Sequence, residues 1–249
     1  MSGQNAKWRE RSRRVSLLLF PPQCVICGQA IPEPGRYPDL CPGCVADLPW
    51  RPASCRRLPL LDTRSAHYLT HNQYRASRER ILIAAFYYDG KVPGLLRRLK
   101  FHEHLENARP LAICMADVLR MELTGDAGEG ETFLIVPMPL APSRLRERGY
   151  NQASELARPL SEELGRDYSE TALRRVRETR RQSELDFSSR LANLSGAFSG
   201  SGELRGRRVI VLDDIASSGA TLNAALAACE DEGTADVCAA VIASGRSML

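Results

Sequence analysis

Two aspartates stand side by side at Asp213 and Asp214, behind the apolar run V-I-V-L and ahead of I-A-S-S-G-A-T. Residues 209–212 read as a buried strand, a short β-branched run bounded by turn signals. A charge buried without a partner is expensive, so the acidic pair is expected at the strand's end, facing solvent or a ligand. Ala216, Ser217, Ser218, Gly219, Ala220 and Thr221 follow, and the alanine-rich stretch 222–228 reads as a helix. Strand, acidic pair, small loop and helix N-terminus together form an anion cradle, because the first N–H groups of a helix lack intrahelical acceptors. Four chemistries compete for this pattern. An acidic turn at a sheet end needs nothing further. A Walker-B strand requires a G-x-x-x-x-G-K-[ST] loop, which the chain lacks. An acidic metal pocket finds no support elsewhere in the chain. A sugar phosphate uses every part: the carboxylates accept hydrogen bonds from a ribose diol, and the loop offers N–H and hydroxyl groups to a 5′-phosphate. Small side chains let the backbone approach that phosphate closely.

A second group of reactive residues lies near the other end. Cys24 and Cys27 form C-V-I-C, and Cys41 and Cys44 form C-P-G-C. Each C-x-x-C turn sets two thiolates on one tight bend, and two such turns complete a tetrahedral shell of four thiolates with no open position. Such a closed site serves folding, and a structural Zn2+ is expected. Cys55 has no partner at the same spacing, and Cys114, Cys229 and Cys238 are scattered.

The 249 residues allow one large domain or a main domain with a small appendage. Apolar residues make up 43% and aromatic ones only 6%, and the net charge is +4. That balance permits a polyanionic partner without requiring one. Residues 15–20 are too short for a secretory core, and no run is long enough to span a bilayer, so no membrane insertion and a cytoplasmic setting are expected. That setting also keeps thiols reduced and favours metal over disulfides.

The elements that must carry these residues can be read from periodicity. Residues 1–20 form a basic lead-in, 21–60 a loop-rich zinc-binding module and 61–80 a polar connector, with a larger domain over 81–249. In that domain 81–88, 133–136, 209–212 and 237–243 read as strands. Helical spacing recurs through Leu105, Leu111, Met115 and Leu119, and through Leu156, Leu160 and Leu164. Strands alternating with helices predict an α/β domain built on a parallel sheet.

The motif V-I-V-L-D-D-I-A-S-S-G-A-T-L resembles the phosphoribosyl pyrophosphate (PRPP) motif of type I phosphoribosyltransferases, with serines where the usual D-D-V-x-T-T-G-x-T has threonines. V-P-M-P-L-A-P-S-R-L-R-E-R-G-Y-N-Q at 136–152 and L-K-F at 99–101 resemble the ComF family. So does T-x-x-Q-x-x-L-x-x-x-x-R-x-x-N, running from Thr179 to Asn193. An N-terminal zinc module ahead of such a domain fits the same family.

The resemblance implies PRPP binding by Asp213, Asp214 and 216–221, with Mg2+ accompanying the PRPP. A pyrophosphate loop falls on Arg144, Arg146, Arg148, Gly149, Tyr150 and Asn151, and a mobile hood carries Arg180, Arg181, Gln182 and Arg190. Lys100 and Arg148 join the aspartates as candidate catalytic residues. The implied reaction displaces pyrophosphate from ribose C1, to an acceptor the sequence does not name. The family also implies a second reading: a non-catalytic accessory of natural transformation that binds single-stranded DNA beside a helicase-like ATPase. Against strong DNA binding stand the modest charge and the few aromatics.

Overall fold

The computed structural model describes residues 21–60, 80–101, 104–123, 133–177, 194 and 196–246. The chain divides into two compact units, one ending at Leu48 and the other beginning at Pro49. The first unit holds a single short helix, α1 (Pro42–Ala46), among its described residues. The second begins ahead of β1 (Arg57–Leu60), which pairs antiparallel with β2 (Arg80–Tyr87). Residues 57–60, read from sequence as part of the zinc-binding module, thus form an edge strand of the main sheet. Their alternation explains why, since Leu58 and Leu60 are buried while Arg57 and Pro59 face outward.

The remaining elements follow in order: α2 (Val92–Phe101), α3 (Ala108–Leu123), β3 (Phe133–Pro137), α4 (Pro142–Arg148) and α5 (Gln152–Leu164). After them come β4 (Leu173–Arg175), β5 (Phe198–Gly200), β6 (Arg208–Ala216), α6 (Ala220–Asp231) and β7 (Asp236–Ser244). The main sheet runs β1-β2-β7-β6-β3, and β2, β7, β6 and β3 are mutually parallel. Strands β4 and β5 form a separate antiparallel pair.

Both faces of the parallel strands are covered, which is why they read as continuous apolar runs. Leu82, Leu134, Val136, Val209, Val211 and Val241 point to one face, where α6 and the β4–β5 pair close the core. The alternate residues Ile83, Ile135, Ile210, Leu212 and Ile242 are equally buried, on the face covered by α3 and α5. Helices α3 and α5 also pack on one another. A buried guanidinium ties β2 to α6: Arg80 holds Glu230 through two hydrogen bonds of 3.0 and 2.7 Å and reaches Asn223 at 3.3 Å.

Strand β6 is longer than its apolar run. It continues through Asp213 and Asp214 to Ala216, still in register with β7 through Asp213↔Val241 and Ala216↔Ser244. The aspartates thus lie near the strand's end but still within its pairing, and residues 209–212 are only its middle. The backbone hydrogen bonds of β7 hold them in extended conformation, with the two carboxylates close enough to interact.

Gly200 is required by close approach. A Cβ there would stand 2.5 Å from Glu232 Cγ, 2.8 Å from Leu204 Cδ1 and 3.0 Å from the Ala228 carbonyl oxygen. Because one of these neighbours is backbone, Gly200→Ala is expected to destabilise the fold by about 1–3 kcal/mol. A thermal melt should read this as a fall in Tm of several degrees, at about 2–4 °C per kcal/mol in a chain of this size. An unchanged melt would mean that β5 and α6 are not packed this closely.

Candidate functional site

A cavity of about 540 Å³ opens at the carboxyl ends of β3 and β6, the edge of a parallel sheet where α/β proteins bind ligands. Asp213, Asp214 and the loop Ser217–Gly219 form one side of it, and Arg144, Arg148 and Lys100 line it as well. Helix α6 begins directly after Gly219, whose φ of 71° lies in the left-handed region, where glycine is least strained. No side chain caps this helix, so none competes with a ligand for the N–H groups of its first turn at the cavity wall.

Asp214 is 3% exposed, and a charge that deep needs a countercharge. Lys100, near the C-terminus of α2, donates to its Oδ2 at 2.8 Å, and Gln152, the first residue of α5, donates to Oδ1 at 3.4 Å. Asp213 sits beside it and accepts the Asp214 backbone N–H at 2.8 Å. Burial, and then the neighbouring Asp214 charge, push the Asp213 carboxyl well above the ordinary carboxylate range. The pair is thus split by environment: Asp214 has its own cation, and Asp213 is held where a ligand with hydroxyl donors would satisfy it.

The segment read as a pyrophosphate loop is mostly helical. Arg144, Arg146 and Arg148 belong to α4, which ends at Gly149 in left-handed geometry with φ 82°. Arg144 and Arg148 line the cavity, while Arg146 does not. Burial lowers the Arg148 guanidinium from its ordinary value, and the nearby Asp214 charge opposes that. Arg148 donates to Gln152 Oε1 and stacks over Phe101 at 5.3 Å. Tyr150 and Asn151 serve the scaffold. The Tyr150 hydroxyl donates to the Leu99 carbonyl, which ties α2 to the turn before α5. Asn151 caps α5 by accepting from Ala153 N at 3.1 Å, and its amide donates to the Met138 carbonyl at 3.0 Å.

Arg180, Arg181, Gln182 and Arg190 lie outside the described residues. Two polar residues are among the lining positions that the sequence reading did not single out. Arg175 enters the cavity from the end of β4, and Gln152 enters from the first turn of α5. The asparagine cap before an amphipathic run was a signal for the second, whereas a three-residue strand leaves no periodicity from which to find the first.

In the first unit, the Sγ atoms of Cys24, Cys27, Cys41 and Cys44 all lie within 4.8 Å of one another. A tetrahedral zinc with bonds of about 2.3 Å needs sulfurs about 3.8 Å apart, and Cys27 and Cys41 stand at 3.7 Å. Each turn is built for the purpose. Gly28, at φ 74°, donates to the Cys24 carbonyl at 2.8 Å, and Cys41 caps α1 by accepting the Cys44 N–H at 3.4 Å. Without a cation the thiols are in conflict. Burial and the neighbouring thiols push Cys44 up to about 12, while in Cys24 backbone hydrogen bonds from Cys41, Cys27 and Ile26 overcome burial and bring it to about 6. A divalent ion would resolve this by holding all four as thiolates.

Comparison with known proteins agrees with both units. Residues 146–248 match the phosphoribosyl transferase domain, and residues 15–65 match the double zinc ribbon domain. The DNA utilization protein YhgH of Escherichia coli K12 is 32% identical over 142 residues, which cover 57% of this chain and 62% of that protein. Competence protein F of Haemophilus influenzae is 39% identical over 92 residues, 36% of this chain and 40% of that one. Competence protein ComFC of Streptococcus pneumoniae is 28% identical over 154 residues, covering 62% of this chain and 64% of that one. The aligned region thus spans about three fifths of the length of the Escherichia coli relative. Among the described residues no helix is long and apolar enough to cross a membrane. A double zinc ribbon match thus precedes a phosphoribosyl transferase domain match, and competence and DNA utilization proteins are among the proteins this chain is similar to.

Proposed function

We propose that the cavity binds PRPP and that the protein holds or transfers a phosphoribosyl group with release of pyrophosphate. One observation supports this most strongly: an acidic pair, a small-residue loop and an uncapped helix N-terminus meet in a single cavity across from arginines. Asp213 and Asp214 accept hydrogen bonds from the ribose hydroxyls. Ser217, Ser218, Gly219 and the first N–H groups of α6, around Ala220 and Thr221, hold the 5′-phosphate. Arg144, Arg148 and Arg175 face the pyrophosphate, and Lys100 pairs with Asp214. In the transfer, a lone pair on the acceptor forms a bond to ribose C1 as the C1–O bond breaks, and pyrophosphate departs with the electron pair. Positive charge developing on the ring lies beside the carboxylates, and the arginines stabilise the charge gathering on the leaving group. Mg2+ carried in with PRPP would add to that stabilisation. The four cysteines hold a structural Zn2+, and a cytoplasmic setting suits their reduced state.

A second reading, favoured by the relatives named for competence and DNA utilization, is a non-catalytic accessory that binds single-stranded DNA beside a helicase-like ATPase. On that reading oligonucleotide affinity falls steeply with salt and survives loss of the aspartates. On the first, it does not govern activity.

Calorimetry should detect PRPP binding in the presence of Mg2+, and Asp213→Asn with Asp214→Asn should weaken it by about 100-fold or more, since each charge-assisted hydrogen bond contributes about 1.5–3 kcal/mol. Equal affinity of wild type and the double variant would overturn the assignment. Stability should move the other way in the single variant. Because the folded protein binds the Asp213 proton more tightly than the unfolded chain, this carboxyl's contribution declines as pH rises from the ordinary carboxylate range through its raised pKa. Asp213→Asn is therefore expected to raise Tm at neutral pH by a few degrees, with the gain vanishing near pH 4, as melts across that range would show. Metal analysis should give about one zinc per chain, and chelation should unfold the first unit. Metal-free protein purified under reducing conditions with that unit intact would contradict the zinc assignment.

A further inference from the structure

Beside the main cavity lies a second one of about 280 Å³, just below the usual range for ligand sites, about 300–1,000 Å³. The two share Lys100, Arg144, Arg148 and Ile215 as a common wall. Four of the residues lining the second cavity are cations, two are the aromatics Tyr88 and Phe101, the rest are aliphatic, and no carboxylate is among them. Tyr88 is 43% exposed and Phe101 62% exposed, so both present ring surface. Arg97 contributes only to this second cavity. One turn of α2 separates it from Lys100 and Phe101, so the three share a helix face. Among the described residues Arg97 and Arg144 form no hydrogen bond or ion pair, whereas Lys100 is committed to Asp214.

We infer that this second cavity is the acceptor subsite and that its occupant is a small planar aromatic anion, such as an aromatic ring carboxylate. The inference rests on the PRPP reading for the word acceptor, while the ligand chemistry follows from the lining alone. Aromatic walls select a flat ring, because stacking and cation–π contacts reward a π face. An arginine presents a forked donor that matches a carboxylate in two parallel hydrogen bonds. A neutral heterocycle would leave the Arg97 donors unused. A bare phosphate would leave the rings unused. The shared wall sets such a ring beside the main cavity, and Lys100, bonded to Asp214, links it to the ribose side.

The test compares pairs that differ only in charge. Nicotinate against nicotinamide, and benzoate against benzamide, are titrated into the full-length protein by ligand-observed NMR, with and without PRPP and Mg2+. The carboxylate of each pair is expected to bind about tenfold or more tightly, since a charge-assisted hydrogen bond contributes about 1.5–3 kcal/mol. Arg97→Gln is expected to remove that preference, and Phe101→Leu to weaken both members of each pair. PRPP affinity should stay unchanged in Arg97→Gln, which separates the two sites. Equal binding of acid and amide, carboxylate binding indifferent to Arg97→Gln, absence of binding by any of the four, or oligo(dT) displacing the carboxylate would each overturn the inference. Carboxylate preference that depends on Arg97 in a protein that does not bind PRPP would retain the anion site and refute the PRPP reading instead.

Discussion

The site depends on one buried carboxylate. Asp214 lies 3% exposed at the end of a central strand, and the Lys100 ammonium at 2.8 Å together with the Gln152 amide compensates its burial. Those two partners come from different helices, α2 and α5, so satisfying a single charge fixes both helices against the strand that carries it. The Tyr150 hydroxyl bonded to the Leu99 carbonyl secures α2 to the turn before α5. With α2 and α5 set, Arg148 and the shared wall between the two cavities fall into place. Losing either partner would leave charge in a low-dielectric setting, a more severe defect than a lost surface ion pair.

Neighbouring Asp213 shows the opposite design. It has the same side chain one residue earlier, yet Lys100 and Gln152 donate to Asp214, and burial with the Asp214 charge opposes the ionisation of Asp213. A site that keeps one carboxylate satisfied and its neighbour strained gives up stability in the empty protein. In the proposed complex a bound diol would return it by donating to both. This is the common trade between stability and activity at a functional site.

Much of this was legible in the residues. The apolar runs at 133–136, 209–212 and 237–243 each became strands of the parallel sheet, because β-branched residues buried on both faces leave little ambiguity. The paired spacing of the four cysteines led to a cluster with suitable sulfur separations. What could not be read was tertiary. The extension of β6 through its acidic pair depends on pairing with β7, and the helical state of 142–148 was hidden by its many arginines, whose solvated face carries no apolar stripe. The edge strand Arg57–Leu60 was obscured because a proline within the run argues against a strand, although an edge position tolerates it. Arg175 reaches the cavity from a strand too short to leave a pattern.

The β4–β5 pair has a consequence for how the cavity wall is built. The Val176 N–H donates to the Ala197 carbonyl at 2.9 Å, closing the intervening segment at its base. Below that point Arg175 is held at the cavity by the ladder through which β4 pairs with β5. A change to that ladder would move a guanidinium at the cavity's edge. Substitutions at the end of β6 disturb a buried charge network instead. The cavity wall is thus tied at two separate places, Arg175 by the β4–β5 ladder and the acidic pair by the pairing of β6 with β7, so the two can be altered one at a time.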